Sequence, residues 1–266
     1  MDNVMEFTLL SSLDPYAIVA GFFFSMLIFL SGVGAGVLVV PSLIVLFNLD
    51  PTLAVASGSF FAFLAKVLMT VGHAKQGGVN WTVGCKFLYL CLPVTILSAL
   101  SLTLVSDPEM QVTVDRVLML LVLLAGVLSL ASMFTKRIKE YLSRLSLSWL
   151  SGITGFLMGL TGVGGGVLVV PALSSSGGLS VKSAVATSIP VGLILSLAVS
   201  ITFGSRGVMD YALVASLMVG CVISLPLASK LFSRFSEESI KRITGLFIGL
   251  ALIGLVEALL ESLNLL

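Results

Sequence analysis

A glycine-rich stretch inside an apolar run occurs twice in this chain. Ser31 to Pro41 reads S-G-V-G-A-G-V-L-V-V-P, and Thr161 to Pro171 reads T-G-V-G-G-G-V-L-V-V-P. The copies lie 130 positions apart in a chain of 266 residues. A repeat of about half the chain length, in which glycines interrupt apolar helices, is typical of transporters that are built from two related halves.

The composition indicates a membrane protein. Hydrophobic residues make up 58% of the chain and charged residues 10%, whereas a soluble domain has about 25% charged residues. Apolar runs long enough to cross a bilayer recur along the whole sequence, so we expect an all-α polytopic membrane protein. The net charge of +1 points to no nucleic-acid partner. No Cys or His spacing indicates a metal, and no cofactor is expected.

The repeat extends beyond the glycines. Ala54-Val55-Ala56-Ser57 aligns without a gap on Ala184-Val185-Ala186-Thr187. A polar, basic linker separates the halves, so we divide the chain into a first transmembrane repeat over 1–134, a cytoplasmic linker over 135–145 and a second transmembrane repeat over 146–266. The predicted spans are Thr52 to Val71, Trp81 to Leu104, Val114 to Phe134, Ala184 to Phe203, Tyr211 to Leu231 and Ile243 to Leu260.

The distribution of charge predicts how the glycine-broken segments lie. Lys and Arg collect on cytoplasmic loops, which places Thr135 to Arg144 and Lys230 to Arg242 inside. If each broken segment crossed the membrane fully, Lys230 to Arg242 would fall outside. If each is a re-entrant hairpin, both basic segments fall inside, both termini fall on the outer face, and only Arg206 is misplaced. We therefore expect two inverted repeats, each with a re-entrant broken helix and three transmembrane helices.

The glycines themselves suggest an anion site. Non-helical backbone inside a membrane is tolerated only where protein or a water-filled cavity satisfies it, and glycine lets a ligand approach the backbone. A half-helix from Val167 would aim its first N–H groups at the break, where anions bind. Ser31 and Thr161 add hydroxyls suited to N-capping or ligand contact. The alternative is that these glycines only allow close helix packing.

Several polar residues lie in or beside apolar helices. Lys66 is a candidate attractor for an anion, unless it snorkels to the cytoplasmic end of its helix. Other hydroxyls either line the cavity or bond between helices; these are Ser57, Ser59, Thr187 and Ser188. Three residues near helix ends are expected to gate or flank the site, namely His73, Gln76 and Arg206. No Asp or Glu lies in the middle of a predicted span, so the sequence assigns no coupling ion.

The paired glycine segments, each followed by an A-x-A-[ST] helix start and a G-V turn, resemble the TauE/SafE family of sulfite exporters from Gly32 to about Gly254. The resemblance implies an inner-membrane transporter that exports a small sulfur-containing anion such as sulfite or an organosulfonate. The glycines that match the family motif are Gly32, Gly34, Gly36, Gly162, Gly164, Gly165 and Gly166. The first copy departs at Ala35, where glycine is usual, and the turn before Trp81 lacks the acidic residue found at Asp210.

Two other functions remain open at this point. Ser57 as a nucleophile with His73 as its base would describe an intramembrane serine hydrolase. His73 is the only histidine and lies sixteen residues further along the same predicted helix, about 24 Å away, which argues against that pairing. A membrane helper subunit without transport activity is the second alternative.

Overall fold

The computed structural model describes residues 13–31, 35–74, 78–104, 108–135, 144–162, 168–205, 207–232 and 236–263. The described residues form ten helices and are otherwise turns and connections. In chain order the helices are α1 Pro15–Ser31, α2 Ala35–Phe47, α3 Pro51–Ala74, α4 Trp81–Thr103, α5 Pro108–Phe134, α6 Leu147–Thr161, α7 Val169–Ser175, α8 Val181–Gly204, α9 Tyr211–Phe232 and α10 Glu237–Ser262.

Local chemistry explains where these helices begin. Pro15, Pro51 and Pro108 each occupy the first helical position, where proline's missing N–H would have no intrahelical partner. Asn80 caps α4 by accepting from the Val83 N–H, and Ser236 caps α10 by accepting from the Ser239 N–H. These signals lengthen α5 and α10 by six residues each at the start beyond the predicted spans, because polar first turns continue the helix past the apolar run.

Six of the described helices are long and apolar enough to cross a membrane: α3, α4, α5, α8, α9 and α10. Three shorter apolar helices, α1, the main part of α2 and α6, flank the glycine segments. Aromatic side chains near the first turn of four helices are exposed, as expected at the two membrane–water interfaces; they are Tyr16, Trp81, Trp149 and Tyr211. The predicted all-α polytopic fold is confirmed.

The two central helices, α3 and α8, run in opposite directions. The Ser183 hydroxyl, at the start of α8, donates to the Gly78 carbonyl, which follows the end of α3. Lys66 meets Ser196 near the middle of both helices. At the other end, the Asp210 N–H donates to the Ser57 hydroxyl near the start of α3. Since α8 begins 130 positions after α3, equivalent helices of the two halves lie antiparallel at the centre.

Each broken segment packs against the opposite half of the chain. Gly220 of α9 allows the backbone of α1 to approach at Ile18, and Gly21 of α1 makes the reciprocal approach to α9. In the matching interface, Gly155 and Gly159 of α6 lie against the backbone of α4. Small residues at helix crossings are the usual means of close packing in membrane bundles. The two halves are therefore interlocked in one bundle.

The second glycine-broken segment begins and ends at the same side of the bundle. The hydroxyl of Ser176, which follows α7, donates to the carbonyl of Leu145, two residues before α6, over 2.8 Å. Gly177 lies close to Val83 in the first turn of α4, so the chain has returned to the level at which α4 begins. This contact favours a hairpin over a full crossing.

Candidate functional site

The end of α6, where the second half is broken, lies directly against α3. Gly162 ends α6 with φ of 64°, and its N–H donates to the Met158 carbonyl over 2.9 Å, which is a left-handed helix cap. A Cβ at Gly162 would lie 2.8 Å from the Ser59 hydroxyl oxygen and 3.6 Å from the Val55 carbonyl oxygen. Only glycine combines this backbone conformation with such a close approach.

Ser59 presents an unused hydroxyl at this point. Its side chain is 1% exposed, and its Oγ has no hydrogen-bond partner among the described residues. Buried hydroxyls are nearly always hydrogen-bonded, because desolvating one without a partner costs about 1–3 kcal/mol. A buried free hydroxyl that faces a helix break is therefore a place where a ligand or water finds a hydrogen-bonding group.

Lys66 lies two helical turns beyond Ser59 on the same face of α3. Its side chain is 4% exposed, and its Nζ donates to the Ser196 hydroxyl over 3.1 Å. The side chain is held in the interior and does not snorkel to the helix end, so that alternative is wrong. Within the described ranges no carboxylate pairs with it, although a charge buried in a membrane bundle normally has a partner.

Ser57 and Thr187 make a matched pair of contacts between the halves. The Asp210 N–H donates to Ser57 Oγ over 3.0 Å, and the Asn80 N–H donates to Thr187 Oγ1 over 2.9 Å. Asp210 and Asn80 also cap α9 and α4 with their side chains. These two hydroxyls therefore hold the loop of the opposite half. Ser188 is buried, and its hydroxyl donates to the carbonyl of Val185.

For Ser31 and Thr161 the sequence suggested either N-capping or ligand contact, and both suggestions stay predictions. Both residues end a helix, and each hydroxyl donates to the carbonyl four residues earlier, that of Leu27 and Leu157 respectively. In the first half the next helix, α2, begins at Ala35, four residues after Ser31. In the second half α7 begins at Val169, later than the predicted Val167, and its N-cap residue, Leu168, makes no side-chain cap bond.

The backbone-amide part of the anion site is only partly within the described residues. Gly162 uses its N–H in the α6 cap, and Gly36 is buried in the first turn of α2. His73 lies in the last turn of α3, and its side chain is not described. The remaining candidates fall outside the described residues; they are Gly32, Gly34, Gly164, Gly165, Gly166, Gln76 and Arg206.

Three residues that sequence reasoning did not assign to the site belong to these contacts. The Ser196 hydroxyl accepts a hydrogen bond from Lys66. The backbone N–H groups of Asn80 and Asp210 donate to hydroxyls of the opposite half. The repeat register contained the signal. Positions 66 and 196 are equivalent at the 130-residue offset, as are 57 with 187 and 80 with 210. Position 66 meets its own equivalent, whereas the contact of 57 with 210 is repeated as the contact of 187 with 80.

The six span-length helices are those of a multi-pass membrane protein. The family model "Sulfite exporter TauE/SafE" matches residues 17–255, and the chain belongs to that family. It is 28% identical to a probable membrane transporter protein of Methanocaldococcus jannaschii, over 88% of this chain and 90% of that protein. It is 27% identical to a probable membrane transporter protein of Bacillus subtilis, over 84% and 92% respectively. No solved structure matches the chain.

Proposed function

We propose that this protein exports a small sulfur-containing anion, sulfite or an organosulfonate, across the cell's inner membrane. The observation that carries the proposal is the free Ser59 hydroxyl, buried and facing the Gly162 break. The hydroxyl donates to an anionic oxygen, and Lys66, two turns away on the same face, supplies positive charge. The sulfur-containing class of substrate rests on the family description.

The proposed site combines side chains with backbone. Amides of the glycine segments that lie outside the described residues add donors at the break, as sequence reasoning suggests. The described contacts add a fixed wall, because Gly162 brings the end of α6 against Val55 and Ser59. In this arrangement the anion replaces the missing partner of Ser59. Its charge offsets that of Lys66, whose Cα lies about 10 Å further along α3.

The proposed mechanism is alternating access between two inverted halves. Two observations support it: the antiparallel contacts between α3 and α8, and the contact between Ser176 and Leu145 that brings both ends of the second broken segment to one side. The loop contacts of Ser57 and Thr187 lie at opposite ends of this central pair. Release of one while the other holds would open the site to one face at a time.

The topology makes a direct prediction for cysteine accessibility. In a background without native cysteines, we expect Arg144→Cys and Ser236→Cys to react with a membrane-impermeant maleimide only from the cytoplasmic side. Ser205→Cys and Leu263→Cys should react only from the outside, as the basic linker predicts. Labelling of residues 144 and 236 from opposite sides would contradict the hairpin topology.

The Ser59 hydroxyl provides the test of the site. We expect Ser59→Ala to raise the KM for anion flux into proteoliposomes by about tenfold or more, because a hydrogen bond to a charged group contributes about 1.5–3 kcal/mol. The measurement is uptake of labelled sulfite and methanesulfonate, with sulfate, thiosulfate and carboxylates as competitors. A preference for cations or neutral solutes would contradict the proposed function.

A matched control is available in the same protein. Ser129 of α5 is 1% exposed, and its Oγ likewise has no partner among the described residues. Removing either buried free hydroxyl should leave the thermal stability unchanged or slightly higher. Ser129→Ala should leave the KM unchanged. Equal KM values for both variants would remove Ser59 from the site.

A further inference from the structure

Lys66 has an unusually sparse environment for a buried amine. The Ser196 hydroxyl, to which Nζ donates over 3.1 Å, itself donates to the Gly192 carbonyl over 2.6 Å. Because a serine has a single hydroxyl proton, Ser196 accepts from Lys66 and cannot donate to it. A charged ammonium therefore keeps two N–H donors beyond this bond, and no other described residue receives them.

The helices packed against α3 contribute no counter-charge at this position within the described ranges. On α5, Asp115 is bonded to Thr52 at the start of α3, about 21 Å from Lys66 along the helix. The caps and ends of α9 carry Asp210 beside Ser57, Tyr211 beside Phe60 and the exposed Lys230. On α2 and the described side chains of α8 there are no ionisable groups.

Both protonation states of Lys66 can keep the bond to Ser196. A neutral amine donates one N–H to the serine just as an ammonium does, and it needs no counter-charge. The charged form, by contrast, is unfavourable in a buried site until an anion is present. The site thus has two self-consistent states, which are neutral and empty, or protonated and occupied by an anion.

We propose that Lys66 is the proton-coupling residue, and that one proton crosses the membrane with each monoanion. The inference rests on the proposed anion transport and adds the coupling ion to it. Export with a proton runs down the outward gradient of the anion itself, because an inward proton gradient alone would favour uptake. The proton is taken from water on the side where the anion enters and returned to water where the anion leaves. Binding of the anion raises the proton affinity of the amine, and by linkage protonation raises the affinity for the anion by the same factor.

Methanesulfonate is the probe of choice, since it stays deprotonated near neutral pH and carries no proton itself. We expect its entry into wild-type proteoliposomes that contain a pH-sensitive dye to acidify the lumen, at one proton per anion. An external pH lower by about one unit should accumulate the anion about tenfold at equilibrium. A potassium diffusion potential should leave the flux unchanged, because the coupled movement is electroneutral.

Substitutions separate proton coupling from anion binding. Lys66→Arg keeps a positive charge that cannot be released, so exchange of labelled for unlabelled methanesulfonate should persist while net proton-driven uptake is lost. Lys66→Gln should bind the anion more weakly, and its residual flux should respond to membrane potential and move no protons. Lys86→Gln, at an exposed lysine of α4, is the control and should behave as the wild type.

The outcomes are distinguishable. Anion flux without acidification in the wild type, or unchanged acidification in Lys66→Gln, overturns proton coupling and leaves anion transport standing. Absence of flux for every anion overturns the proposed function and this inference together. Where Lys66→Arg does not fold, as judged by gel filtration of the purified protein, the Gln variant alone decides.

Discussion

Replacement of Gly162 by alanine should strongly reduce anion transport while leaving folded protein in the membrane. Alanine at φ of 64° is disfavoured by about 1–2 kcal/mol. Its methyl group would also lie 2.8 Å from Ser59 Oγ, so the serine must rotate away from the break. Because the site then loses its hydroxyl and part of its space, we expect initial flux in proteoliposomes to fall by at least about tenfold.

Two other glycines separate the effect of backbone strain from the effect of the contact with Ser59. Gly178 and Gly207 have φ of 67° and 72°, and a Cβ at either would meet nothing within 4 Å. Gly178→Ala and Gly207→Ala therefore carry the same backbone penalty without the contact to Ser59, and their flux should stay within about twofold of wild type. The double variant Gly162→Ala/Ser59→Ala should be no slower than Gly162→Ala alone, since both changes remove one group. Equal losses at all three glycines would show that backbone strain, and not the site, explains the effect.

The sequence predicted the parts of the fold that follow from composition and from the residues that begin or end helices. Apolar runs bounded by Pro51 and by the polar turns before Trp81 and Tyr211 located the spans, because each boundary residue acts within one helical turn. The helix ends at the breaks were less predictable. Thr161 donates to Leu157 and α7 begins only at Val169, because a serine or threonine can end one helix as readily as it begins another.

The sequence predicted which residues belong to the candidate site, but not which contacts each residue makes. Ser57, Ser59, Lys66 and Thr187 were identifiable as polar residues in apolar helices, but their separate roles depend on tertiary contacts. Ser57 and Thr187 hold loops of the opposite half, whereas Ser59 lacks a described partner. Ser57 and Ser59 are two residues apart on α3, about 3 Å along the helix axis. The local sequence does not show which of the two hydroxyls is used in a loop contact.

The symmetry of the repeat explains why a single lysine can serve both halves. Lys66 and Ser196 occupy equivalent positions and meet where α3 and α8 pack against each other. A second lysine at position 196 would place two like charges in hydrogen-bond range, which is unfavourable in a low-dielectric interior. The hydroxyl at the equivalent position avoids this repulsion and supplies an acceptor. The two halves therefore carry different residues at the central pair, Lys66 and Ser196. The contacts of Asn80 and Asp210, further from the centre, are the same in both halves.

The interlocked packing of the halves gives the second large expected effect. In Gly220→Ala the new methyl group would overlap the Ile18 carbonyl oxygen and the Phe22 nitrogen. These are backbone atoms and cannot rotate away, so α1 and α9 must separate. Overpacking costs about 1–3 kcal/mol, which corresponds to a fall in Tm of about 2–12 °C for a chain of this size. We expect this fall in a thermal melt of the purified protein.

The matching interface and a neutral helix position complete the test. Gly159 of α6 meets the Thr95 carbonyl and the Ala99 nitrogen of α4, so Gly159→Ala should lower Tm by a similar amount. A Cβ at Gly249 of α10 would meet nothing within 4 Å, and Gly249→Ala should leave Tm unchanged or raise it, because alanine is the better helix former. An unchanged Tm for Gly220→Ala together with a loss for Gly159→Ala would mean that only the second broken segment packs across the halves. Equal falls in Tm for Gly220→Ala and Gly159→Ala would establish that each broken segment packs against the opposite half. This packing holds the candidate site between the halves.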